Sequence, residues 1–121
     1  MNTRTVAASL AGMAVLLGCE TADPIACTAQ VVPGIALLVV DAATGAPVLD
    51  SVTVAVRDGD FEEFPETTGS GGFHAVHERP GTYEVAVTHP RFEPWERDGL
   101  RVEAGVCHVT TVGVTAELVA R

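Results

Sequence analysis

Residues 79–89 read Arg-Pro-Gly-Thr-Tyr-Glu-Val-Ala-Val-Thr-His, and this stretch decides the fold class. Pro80 fixes its own φ and Gly81 accepts a positive one, so the chain turns there. Tyr83, Val85 and Val87 then alternate with Glu84, Ala86 and Thr88. A period of two with one apolar and one wetter face is the pattern of a half-buried strand. Upstream, Val52, Val54 and Val56 alternate in the same way with Thr53, Ala55 and Arg57, while residues 35–40 are apolar on both faces. That second pattern suits a central strand, or one covered by the N-terminal arm. Turn signals fall at residues 43–47, 58–60, 69–72, 79–81 and 97–99, and no helical stretch of useful length remains. The expectation is an all-β chain folded as a small antiparallel β-sandwich of about seven short strands.

Tyr83 enters its strand in phase with the two valines, which places its ring in the core. Its hydroxyl is expected to reach back to a nearby backbone group, as in the tyrosine corners of other sandwiches. The last strand, from Val106 to about Val119, holds a difficulty. Val112, Val114, Ala116 and Leu118 form one inward set, yet the same phase turns Cys107 and Val109 outward. A bulge near Gly113, or a Cys107 that meets a covering arm at Cys27, resolves it equally well.

Outward from the strands, the front of the chain has another character. Arg4 is the only charged side chain before Glu20, and the residues between them include an apolar run of about 12 to 14. That is too short to span a bilayer, which takes about 20 residues, and suits the h-region of a secretory signal. Leu16-Leu17-Gly18-Cys19 follows at the end of this run and resembles the lipobox of bacterial lipoproteins. The resemblance implies removal of residues 1–18 and acylation of Cys19, which becomes a membrane anchor. The alternative is a cysteine that merely falls near a cleavage site.

Three cysteines are an odd number for a disulfide framework. With Cys19 acylated in an exported chain, Cys27 and Cys107 are left to pair in an oxidising compartment, the alternative being two free buried thiols. The domain plan is then a signal at 1–18, a lipidated tether and arm at 19–33, and a sandwich at 34–121. The expected location is the cell membrane or outer membrane, facing the periplasm or the surface.

After residue 18, six arginines and no lysine face sixteen acids. Nucleic acid is excluded as a partner, because its affinity comes from cations meeting phosphates. An acidic surface does not adhere to an anionic leaflet either, so acyl chains must do the anchoring.

The strand region carries a resemblance of its own. Residues 34–59, GIALLVVDAATGAPVLDSVTVAVRDG, residues 67–73, TTGSGGF, and residues 79–95, RPGTYEVAVTHPRFEPW, resemble the carboxypeptidase regulatory-like module. The features shared are a first strand ending in the D-x-x-T-G-x-P turn at Asp41–Pro47, the G-x-F start at Gly71–Phe73, and Pro80-Gly81-Thr82-Tyr83 leading into an alternating strand. The resemblance implies a transthyretin-like sandwich and no shared catalytic residues; fold analogy supplies no activity.

Candidate chemistry is sparse. His74 and His77 are an odd number of residues apart, so on a strand they face opposite ways and cannot clasp one ion; no metal or other cofactor is expected. The acids from Asp58 to Glu66 suit calcium by type but lack the spacing of a dedicated loop. Ser70 lies in Gly-Ser-Gly-Gly and not in a nucleophile elbow, and no catalytic residue is assigned. Lys–Asn isopeptide cross-links are excluded, since the chain has no lysine and its sole asparagine is Asn2.

Phe92 and Trp95 form a candidate aromatic platform for a sugar, with packing at the end of the sandwich as the alternative. The expectation is a non-catalytic structural or protein-binding module that meets an envelope partner through Glu62, Glu63, Phe92 and Trp95. The other readings are a glycan-binding module and, behind it, a calcium-dependent adhesion domain.

Overall fold

β-branched side chains pack well on a pleated surface, and valine dominates the inward positions of this chain. The computed structural model describes residues 26–121 and contains seven strands: β1 (Ile35–Asp41), β2 (Thr53–Asp58), β3 (Phe61–Glu63), β4 (Gly72–Ala75), β5 (Gly81–His89), β6 (Phe92–Val102) and β7 (Val112–Leu118). There is no helix among the described residues. The strands form two sheets, ordered β4-β1-β7 and β3-β2-β5-β6, and the chain is a small β-sandwich. Cys19 and the proposed signal at 1–18 lie outside the described residues.

The alternating residues meet between the sheets. Ile35, Leu37 and Val39 of β1 and Val114, Ala116 and Leu118 of β7 pack with Val54, Val56, Tyr83, Val85 and Val87 of the facing sheet, all buried. Burying a side chain of this size stabilises by about 1.5–3 kcal/mol relative to leaving it exposed. β1 is indeed central in its sheet. Its outer face is not closed by the arm, since Leu38 remains 41% exposed.

Two features differ from the expectation. β1 and β7 pair in parallel, in register from Ile35 with Val112 to Asp41 with Leu118, so the sandwich is antiparallel in its other pairings only. Residues 97–99 do not turn the chain back, because β6 runs through them. The register against β5 slips by one residue between Tyr83 and Val85, and Gly99 sits opposite this slip with φ 71°. Asp98-Gly99 thus supplies the left-handed residue of a bulge and not the corner of a hairpin.

The phase conflict before β7 resolves in favour of the covering arm. Residues 103–110 leave the sheet as a small hairpin of their own, closed by Gly105 N–H to His108 O (2.9 Å) and Thr110 N–H to Glu103 O (2.9 Å). Cys107 lies in this excursion, outside β7, and meets Cys27 there.

Candidate functional site

Three distant segments converge on the turn between β4 and β5. Within it Val76 has φ 49° and Glu78 φ 53°. A positive φ is a marked outlier for a β-branched residue and persists only where its surroundings over-determine it. Here they do. Val76 N–H donates to Glu63 Oε1 (2.9 Å), and Val76 O accepts from Gly34 N–H and Arg79 N–H, both at 3.2 Å.

Glu78 is the hub of the turn. Its N–H donates to Val32 O (2.9 Å) while its Oε2 accepts from Val32 N–H (2.9 Å), a reciprocal pair that fixes the arm. Oε1 accepts from Val109 N–H (3.2 Å), and Oε2 also meets His108 Nδ1. His108 Nε2 lies 3.0 Å from Thr28 Oγ1, so the imidazole links the carboxylate back to the arm. A neutral His108 does this with Nδ1–H donating to Glu78 and Nε2 accepting from the threonine. The bond from Val32 N–H, helped by the contacts with His108 and Val109, holds the Glu78 carboxyl below its ordinary pKa of 4.5 against the opposing effect of desolvation.

Beside this hub Cys27 and Cys107 are bonded, with Cα atoms 5.2 Å apart. The expected pairing is therefore observed. The disulfide and Glu78 together fasten residues 27–32 to the hairpin at 103–110 and to the β4–β5 turn.

The tyrosine corner is present as well. Tyr83 is 1% exposed and its hydroxyl donates to Arg79 O (2.6 Å). Arg79 Nη1 donates to that hydroxyl (2.9 Å) and to Asp58 Oδ2 (3.1 Å), while its guanidinium lies 3.8 Å from the centre of the Phe61 ring. These contacts, the bond to Tyr83 first, hold Arg79 above its ordinary pKa.

The expected recognition residues are not gathered into one surface. Glu62 and Glu63 lie on β3 and Phe92 and Trp95 on β6, at opposite edges of the four-stranded sheet with β2 and β5 between them. Glu62 pairs with Arg57 and Glu63 holds Val76, so neither is a free loop carboxylate. Phe92 is buried and meets His89 edge to face at 5.0 Å. Trp95 is half-buried against the core, and the Arg97 guanidinium stands 5.2 Å from its ring. The two rings make no shared flat platform.

His74 and His77 correct the spacing argument. Because the chain turns at Val76, their rings stand 6.4 Å apart instead of facing opposite ways. No group of three or more His, Cys, Asp or Glu suited to a metal ion exists among the described residues. Glu78 and His108 escaped sequence reasoning. The one available signal was the adjacency of His108 to Cys107 and of Thr28 to Cys27, which makes them neighbours once the thiols pair.

Compared with known proteins, the chain matches no family model and no curated protein. What the converging segments build is a fastening for the N-terminal arm, with the His108 imidazole and the carboxylates of Glu63 and Glu78 engaged as structural partners.

Proposed function

We propose that this chain is a non-catalytic envelope lipoprotein: a small carboxypeptidase regulatory-like sandwich displayed from a lipid on Cys19 and acting as a structural or protein-binding module. The observation that carries the reading is the Cys27–Cys107 bond. It belongs to an oxidising compartment and ties the arm to the body of the sandwich. Tension on residues before Cys27 then enters the domain through the disulfide and not through β1. From Cys19 to Cys27 the chain reaches under about 30 Å, at roughly 3.3–3.6 Å per residue. The sandwich is thereby held close to its bilayer.

Recognition is best placed along β5 and β6, where Glu84, Glu96, Arg97 and Asp98 line a shallow cleft of about 240 Å³ near Trp95. Mixed charge around a half-buried aromatic suits a protein partner. The glycan reading is less favoured because Phe92 is buried and leaves only the half-buried Trp95 ring, and the calcium reading because Asp58, Glu62 and Glu63 are engaged by Arg79, Arg57 and Val76 N–H.

Mass analysis of the protein extracted from membranes tests the anchor. Residues 1–18 should be absent and Cys19 should carry acyl chains, and an unmodified Cys19 on a soluble chain overturns the reading. Trp95→Ala and Arg97→Glu should weaken capture of the envelope partner while leaving acylation intact.

A further inference from the structure

The two sheets of this sandwich end in four edge strands, and the edges are not protected alike. An exposed edge offers unpaired N–H and C=O groups to another strand, and proteins blunt it with shortness, charge, proline, bulges or cover. β3 is three residues long and Pro65 follows closely. β4 is four residues long, and its free side is taken by the bridge from Phe73 to Thr67 and the bond from Thr68 N–H to Gly72 O (2.8 Å). β6 carries Glu93, Pro94, Glu96, Arg97, Asp98 and Arg101, and its register slips twice. Its start is covered by Glu93 N–H to Val119 O (2.7 Å) and by a bridge from Phe92 to Ala120.

From Gly113 to Glu117 β7 has no bulge and, among the described residues, no cover. It keeps an unbroken register with β1, contains no proline, and has Glu117 as its only charge. Val112 N–H donates to Gly34 O, and Leu118 O accepts from Ala42 N–H, so the even-numbered residues bond on the β1 side. The N–H and C=O groups of Gly113, Thr115 and Glu117 therefore point to the open side. All three residues are exposed, and among the described residues no strand pairs with them.

We propose that this edge pairs with the same edge of a second copy of the chain, antiparallel about a two-fold axis at Thr115, to join two three-stranded sheets into one continuous sheet. The proposal goes beyond the anchor and the recognition surface above and depends on neither. Charge selects the occupant and the register. Centred on Thr115, the pairing sets Thr115 against Thr115 and Gly113 of each copy against Glu117 of the other, so no carboxylate faces a carboxylate. Centred on Glu117 it would set like charges directly opposite, which is destabilising. The strands of this sheet carry only Asp41, His74 and Glu117 as titratable groups, while the other sheet holds Arg57, Asp58, Glu62, Glu63, Glu84 and the charges of β6. Two acidic copies thus meet along their least charged side. The paired segment forms about six main-chain hydrogen bonds, a short interface suited to reversible association.

The test uses the full chain purified in mild detergent. Hydrogen-bonded antiparallel partners stand about 5.5 Å apart at Cα, within the reach of a disulfide, whereas residues two positions from the axis stand roughly 14 Å from their own counterparts. On oxidation Thr115→Cys should give a covalent dimer and Glu117→Cys should not. Thr115→Glu and Thr115→Lys should each weaken association about two- to fivefold, and an equimolar mixture of the two should restore it. Gly113→Lys, at a position with no atom within 4 Å of an added Cβ, should strengthen it by meeting Glu117 of the other copy. Native melting of each variant shows that β7 still pairs with β1. Cross-linking at both positions or at neither, a monomer at every concentration, or a mixture no tighter than its components overturns the proposal.

Discussion

The interior of the sandwich and the fastening of the N-terminal arm hold distant parts of the chain together by different means. In the interior the work is spread over many buried side chains, mostly valines from all layers of both sheets, and no single contact is decisive. The arm depends on a few discrete bonds: one disulfide, the carboxylate of Glu78 and the imidazole of His108. The first kind of cohesion ignores redox state and is insensitive to mild acid. The second responds to both, so one molecule contains a body that is hard to loosen and an attachment that chemistry can release.

The largest effect expected is in the interior. Tyr83→Ala removes the biggest fully buried side chain and should cost about 3–5 kcal/mol in denaturant unfolding. A loss below 1 kcal/mol would mean that the corner is dispensable and the contrast drawn above is misplaced. Replacing Cys107 with Ser comes next, at about 2–5 kcal/mol, a size set partly by the long loop that the bond closes. The strands should persist in circular dichroism while a protease gains access near Thr28. An arm that stays protected after this change would show that Glu78 alone suffices. Tyr83→Phe keeps the ring and deletes the hydroxyl, leaving Arg79 O without its 2.6 Å donor, and should cost about 1–2 kcal/mol in the same assay.

The smallest effect has a definite sign. Glu78 has a folded pKa held below 4.5, so the stability it contributes is complete above that value and is lost as pH falls through the folded pKa. Acid should therefore loosen residues 28–32 before it melts the sandwich, with Cys27 still held by its disulfide. Amide resonances of Val32 and Val109 would follow the transition, and Glu78→Gln should abolish the part of it that lies below pH 4.5. A transition unchanged in that variant would assign the acid response to another group.

Much of the body was legible because alternation survives into the fold. Tyr83, Val85 and Val87 face inward as their spacing requires, and the pairing of Cys27 with Cys107, expected once Cys19 is set aside for lipid, matches the bond observed. Other features were not legible, for physical reasons. Strand patterns carry no direction, so nothing in residues 35–41 or 112–118 announces parallel pairing. Asp98-Gly99 reads the same whether its left-handed residue turns a hairpin or bulges a strand, and β5 decides between them. His74 and His77 face apart only on an extended chain, and the chain is not extended at Val76. Glu63 and Glu78 look like solvated acids in turns. Only the tertiary fold brings the amides of Val76, Val32 and Val109 to them.

The parallel pairing of β1 with β7 also sets a timetable. The two strands lie near opposite ends of the described chain, and β1 has β4 on one side but nothing on the other until β7 is present. Contacts of such long range close late and slowly. On a chain that emerges N-terminus first, β1 can pair with β4 while its other side waits for β7, and Cys27 waits for Cys107 in the hairpin just before that strand. The four-stranded sheet needs nothing beyond Val102, so the sheet that joins the two ends of the described chain is the last to close.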